Sequence, residues 1–169
     1  MSNKTPENFI KTKKLAGCAV LTSLALIFSY IEYLLPLSLA IPGIKLGLAN
    51  IVSLIALYSL GPGYAFFIGI ARVFLSSLLF GSAFSMIYSL AGCILSIFTM
   101  WLFKRIDKFS ISGVSMAGGV MHNIGQILIA ALVMESSAVF YYLPVLILAG
   151  MVTGIGIGII STLVINKLK

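Results

Sequence analysis

Six long apolar runs, separated by short polar breaks, leave this chain few ways to fold. They read as helices near 15–35, 44–60, 63–80, 83–103, 113–134 and 138–165. A membrane barrel would need short segments that alternate apolar and polar residues, and the sequence has none. In lipid the remaining solution is the helix, which satisfies its own backbone hydrogen bonds. A soluble domain carries about 25% charged residues. Here the figure is 9%, with 60% hydrophobic. A length of 169 residues, at about 20 apolar residues per span, has room for about five to seven membrane helices and for no separate soluble domain.

The expectation is therefore an all-α membrane protein, a six-transmembrane-helix bundle. A basic segment, 1–14, precedes a single transmembrane domain, 15–169. The first run is about twice the length of a signal-peptide core, so an uncleaved helix is expected despite the Ser38-Leu39-Ala40 lookalike for a cleavage site.

Charge placement gives the orientation. Lys4, Lys11, Lys13 and Lys14 precede the first helix; Lys104, Arg105 and Lys108 lie between the fourth and fifth; Lys167 and Lys169 end the chain. With six helices all of these fall on one side, which the positive-inside rule makes cytoplasmic. This distribution explains the net charge of +7 better than nucleic-acid binding does, because no basic-plus-aromatic recognition pattern accompanies it. Cys18 and Cys93 sit inside apolar runs and read as small buried hydrophobes.

Polar residues inside the apolar runs are the candidates for function. A charge at a membrane helix centre costs about 2.5–3.5 kcal/mol, so such residues are usually paired or line a wet cavity. Pro42-Gly43-Ile44-Lys45-Leu46-Gly47-Leu48-Ala49-Asn50 carries Lys45 and Asn50 at the head of the second apolar run. Glu32 lies near the outer end of the first helix, and Arg72 lies deep in the third. Glu32 and Lys45 read equally well as a structural ion pair, or Lys45 as a snorkelling side chain. In the third helix Gly69, Arg72 and Ser76 share a face. In the fifth, Ser115, Gly119, His122 and Gln126 do so, with Asn123 at the border. Interhelical hydrogen bonding is the plain alternative for His122, Asn123 and Gln126.

The sixth run carries Gly150, Gly154 and Gly158 with Gly156 alongside, a spacing that suits close helix packing. Pro144 marks a kink or an interface break. Tyr30, Tyr33, Tyr88, Tyr141 and Tyr142 suit an outer aromatic belt, with stacking on a flat ligand as the other reading.

No paired carboxylates, aspartate-rich motif, Ser/His/Asp set or His/Cys metal cluster is present in the sequence. His122 is the sole histidine, and no G-x-x-x-x-G-K-[ST] loop occurs. An enzyme is therefore not expected, and neither is an intrinsic metal or cofactor.

Taken together, Pro42 to Asn50, Arg72, Tyr88-Ser89-Leu90-Ala91-Gly92 and His122-Asn123-Ile124-Gly125-Gln126 resemble the bacterial Gx transporter family, also labelled heptaprenyl diphosphate synthase component I. The resemblance covers nearly the whole chain. That family is similar in turn to the substrate-binding S components of energy-coupling factor (ECF) transporters. The resemblance implies a six-helix protein with both termini inside the bacterial cell, in the cytoplasmic membrane, and a ligand pocket facing out. It implies a transmembrane coupling subunit and two cytoplasmic ATPases as partners, and a bound flavin or quinone-like ligand. S components dock through an A-x-x-x-A face in the first helix; here the nearest match is Ala19-x-x-x-Ser23, with Ala16 a turn earlier.

The expected function is a membrane-embedded binding subunit for a small anionic molecule, since Glu32, Lys45 and Arg72 sum to +1 with His122 neutral. Arg72 is the expected anion contact, with Lys45 at the mouth. Asn50, His122, Asn123 and Gln126 orient the ligand, and Glu32 and Tyr88 complete the set. The alternatives are a non-catalytic membrane subunit of an extracytosolic flavin-linked electron-transfer system or of heptaprenyl diphosphate synthesis, and a catalytic prenyltransferase.

Overall fold

The computed structural model describes residues 6–35, 45 and 47–168. Pro36 to Ile44, including Pro42 and Gly43, lie outside the described residues, as do Leu46, Lys4 and Lys169. The described chain is all-helical: α1 (Pro6–Leu34), α2 (Asn50–Ser59), α3 (Pro62–Phe80), α4 (Ala83–Ile106), α5 (Ile111–Val133) and α6 (Leu143–Leu168). A 3₁₀ turn, Ser137–Tyr142, leads into α6. Among the described residues, five stretches are long and apolar enough to cross a bilayer: Lys11–Leu34, Pro62–Phe80, Ala83–Ile106, Ile111–Val133 and Ser137–Lys167. Large apolar side chains such as Leu78, Leu132, Val152 and Leu163 point outward from α3, α5 and α6. Helices that turn their large apolar side chains outward and their polar ones inward suit lipid as the surrounding solvent. The protein is a multi-pass membrane protein.

Local chemistry sets the helix ends. Gly61, at φ +104°, turns the chain, and Pro62 starts α3 where its missing N–H costs nothing. Ser82 caps α4 by accepting from Ser85 N at 3.2 Å. Ser110 caps α5 by accepting from Gly113 N at 3.1 Å. Asp107 ends α4 in the left-handed region.

Neighbour contacts fix the helix directions. Lys14 of α1 lies over the Tyr64 ring of α3, and Tyr30 and Tyr33 pack on Phe80, so α1 and α3 run parallel. Gly150, Gly154 and Gly158 of α6 face Gly119, Met116 and Ser112 of α5, so that pair is antiparallel. Lys104, at the end of α4, meets Leu57 and Tyr58 near the end of α2. Lys14, Lys104, Arg105, Lys108 and Lys167 therefore gather at one end of the bundle. Tyr30, Tyr33, Tyr141 and Tyr142 are exposed at the other.

Four expectations need correction. α1 begins at Pro6, so the basic stretch assigned to a separate segment is continuous with the first helix. The second helix, expected from residue 44, begins only at Asn50 and has ten residues. At 1.5 Å per residue it is about 15 Å long, half a hydrocarbon core. The last helix divides into the 3₁₀ turn and α6, with Pro144 in the first turn of α6, where proline is tolerated and makes no kink. Tyr88 is buried among Ile127, Ala130, Val139 and Leu146, away from the belt, because α4 turns that face inward.

α2 is nevertheless the centre of the molecule. It touches each of the other five α-helices, and every residue from Asn50 to Leu57 is buried. This explains why the run reads as uniformly apolar: it is solvated by protein on all sides.

Candidate functional site

Because the end of α2 lies at the basic end, its start stands about 15 Å inside the bundle, near mid-depth. Arg72, ten residues into α3, and His122, eleven into α5, come to a similar level. Non-helical backbone at such a depth survives only where protein or a wet cavity satisfies it. Here two side chains do so. With its amide oriented to satisfy both ends, Gln126 donates to Lys45 O at 3.0 Å and accepts from Lys45 N at 3.2 Å and from His122 Nε2 at 3.3 Å. Glu32, from α1, accepts from Gly47 N at 2.5 Å and Leu48 N at 3.4 Å.

Gly47 is indispensable to this closure. Its φ is +82°, and a Cβ there would stand 2.9 Å from both His122 Cδ2 and Asn50 Nδ2. Across α5, Gly92 of α4 allows His122 to approach: a Cβ would lie 2.9 Å from His122 Nδ1 and 3.0 Å from Gln126 Cγ. On α3, Gly69 faces the Cys93 thiol, Ile97 and Ser53 in the same manner.

The structure thus brings Glu32, Lys45, Asn50, Arg72, His122 and Gln126 into one layer. Arg72 is only 1% exposed, and its Nε and Nη2 have no acceptor among the described residues. Its guanidinium lies against the Cys93 thiol, and its field reaches Glu32 and His122. Glu32 Oε2, Asn123 Oδ1 and both amide atoms of Asn50 also lack partners among the described residues. Asn123 points to α6 instead, donating to Leu146 O at 2.6 Å. Lys45 is half-buried. Tyr88 packs in the apolar cluster with Leu146.

Sequence reasoning passed over the Gly47 and Leu48 main-chain N–H groups, Gly92 and Cys93. Gly92 was visible only as the end of the Tyr88-Ser89-Leu90-Ala91-Gly92 motif. Cys93 read as a plain apolar filler because nothing along the chain pairs it with Arg72.

Ala16, Ala19 and Ser23 are exposed on the outer face of α1, where Ser23 Oγ donates to Ala19 O at 3.0 Å. An apolar groove of about 510 Å³, lined by Leu15, Cys18, Leu60, Pro62, Tyr64 and Phe67, opens at the basic end. On α3 its lining residues Pro62, Tyr64 and Phe67 lie ten, eight and five positions before Arg72, toward the basic end.

Fold and layer together define a class: a multi-pass helical membrane protein with a buried polar constellation around a half-length central helix. The model of the heptaprenyl diphosphate synthase component I family matches residues 21–164, and the chain belongs to that family. No curated protein matches the sequence.

Proposed function

We infer that this protein is the membrane-embedded, substrate-binding subunit of a transport system for a small anionic molecule, of the size and kind of a flavin or quinone-related cofactor. The observation that carries the reading is Arg72, a buried guanidinium whose Nε and Nη2 have no acceptor among the described residues, in the same layer as the unpartnered atoms of Asn50 and Glu32. Buried polar groups in folded proteins are almost all satisfied. Serine hydroxyls without a partner among the described residues occur elsewhere in the bundle, but they are neutral; a buried guanidinium with open donors is the exception that calls for a partner. Guanidinium favours oxyanions because two parallel N–H groups match two oxygens. A short helix starting at mid-membrane adds its own positive end to the same place.

In this reading α2 and the chain before it complete a sixth crossing, and the basic end faces the cytoplasm of a bacterial cell. The outer face of α1 bearing Ala16, Ala19 and Ser23 docks an ECF-type coupling subunit, which works with cytoplasmic ATPases. The chain itself holds ligand and performs no catalysis. An accessory role in electron transfer or prenyl diphosphate synthesis would replace transport if redox or prenyl-transfer proteins, and no ATPase, co-purify with it.

Native mass spectrometry of the detergent-purified protein tests the binding reading. The wild type is expected to retain a small molecule, and Arg72→Ala to insert normally yet lose it. Retention by Arg72→Ala would assign Arg72 a structural role and remove the reading.

A further inference from the structure

The start of α2 offers main-chain donors in the middle of the bundle, and an internal acid already sits on them. Gly47 N and Leu48 N both reach Glu32 Oε1, at 2.5 and 3.4 Å. Gly47 and Leu48 belong to the turn that leads into α2: their carbonyls and that of Ala49 take the Asn50, Ile51 and Val52 N–H groups at 2.9, 3.1 and 3.2 Å, so the open donors are those of the turn itself, at the positive end of the helix. Such a terminus is an anion site, and here the anion comes from α1.

The pairing is incomplete on both sides. Glu32 is 8% exposed, and its second oxygen has no partner among the described residues. Arg72 acts on Glu32 through its field, yet its Nε and Nη2 have no acceptor among the described residues. Asn50, 4% exposed and the first residue of α2, likewise has no partner there for either amide atom. A carboxylate built only as a cap would present both oxygens to donors; here one oxygen is left over in the same buried layer as the open donors of Arg72 and Asn50. The half-made arrangement fits a seat shared between two occupants.

We propose, resting on the binding reading above, that the N-terminal end of α2 is the seat for the ligand's oxyanion, a carboxylate or phosphate, and that Glu32 fills it as a tethered stand-in which the ligand displaces. The incoming group takes the Gly47 and Leu48 N–H groups and the Arg72 fork together. Glu32 then sets the threshold for entry: a neutral molecule has nothing to exchange for it.

Thermal unfolding of the detergent-purified wild type and Glu32→Gln, titrated with inorganic phosphate and with acetate at constant ionic strength, tests this. Glutamine keeps an oxygen for Gly47 N and removes the competing charge. Apparent affinity for both anions is expected to rise by about tenfold or more in Glu32→Gln, a factor equivalent to about 1.4 kcal/mol, while acetamide shows no change. Dioctanoyl phosphatidylglycerol is titrated alongside: a gain for it without one for the free anions supports the exchange and places the oxyanion on a lipid, so that only a lack of gain for all three probes counts against it. Equal or weaker affinity in Glu32→Gln for phosphate, acetate and the lipid alike overturns it. Should that variant fail to fold, infrared difference spectra of the wild type decide: added phosphate shifts a carboxylate stretching band, and an unmoved band rejects the exchange. Loss of retained ligand by Arg72→Ala without any gain in Glu32→Gln would sink the exchange and leave the binding site standing.

Discussion

With its amide turned to satisfy both ends, Gln126 holds the main chain of Lys45 by both its donor and its acceptor, at 3.0 and 3.2 Å, and takes a third bond from His122 at 3.3 Å. One side chain on α5 thereby substitutes for the helical hydrogen bonds that the chain before α2 does not make. Gln126→Leu keeps the volume and removes all three. In membrane proteins such bonds average about 0.6 kcal/mol each, because the unfolded state also finds partners. The expected loss is thus about 2 kcal/mol, read as a lowered midpoint of thermal unfolding in detergent. An unchanged midpoint would mean that packing alone holds this segment.

Gly47→Ala tests the closure beside it. The φ of +82° strains any L side chain, and the new methyl would meet His122 Cδ2 and Asn50 Nδ2 at 2.9 Å. The left-handed conformation alone costs about 1–2 kcal/mol. Lower stability together with loss of the retained small molecule is expected, measured on one sample by unfolding and native mass spectrometry.

Gly154 and Gly156 make a matched pair on α6. A Cβ on Gly154 would stand 2.7 Å from Met116 Cα, while one on Gly156 meets nothing within 4 Å. Gly154→Val must push α5 and α6 apart, a cost of about 1–3 kcal/mol, whereas Gly156→Ala should be neutral or slightly stabilising. Equal effects in unfolding assays would contradict the register of the two helices.

Lys104 Nζ donates to Leu57 O at 2.8 Å and lies 4.5 Å from the Tyr58 ring centre. It thus satisfies a carbonyl in the last turn of α2 and complements the negative end of that helix. Lys104→Met keeps the stem and removes the charge; a loss of about 1 kcal/mol in unfolding free energy is expected. Full stability in the variant would show that α2 needs no such anchor.

The sequence by itself determined that the chain is a bundle of membrane helices with its basic residues, Lys45 and Arg72 apart, toward one end and an inward polar stripe on α5. Those properties are local. Hydropathy over about twenty residues, turn residues between runs, and the recurrence of Ser115, Gly119, His122 and Gln126 can all be read along one strand of text. Only the tertiary structure decided that α2 starts at Asn50, that Glu32 bonds to Gly47 and Leu48 main chain, and that Cys93 lies beside Arg72. A run buried against five neighbours has the same hydropathy as one that crosses lipid, so composition could not tell a half-length central helix from a full span. Nor can any pattern of side chains announce a site whose donors are backbone N–H groups. Those groups are identical at every residue, and they become distinctive only where the fold leaves them without helical partners.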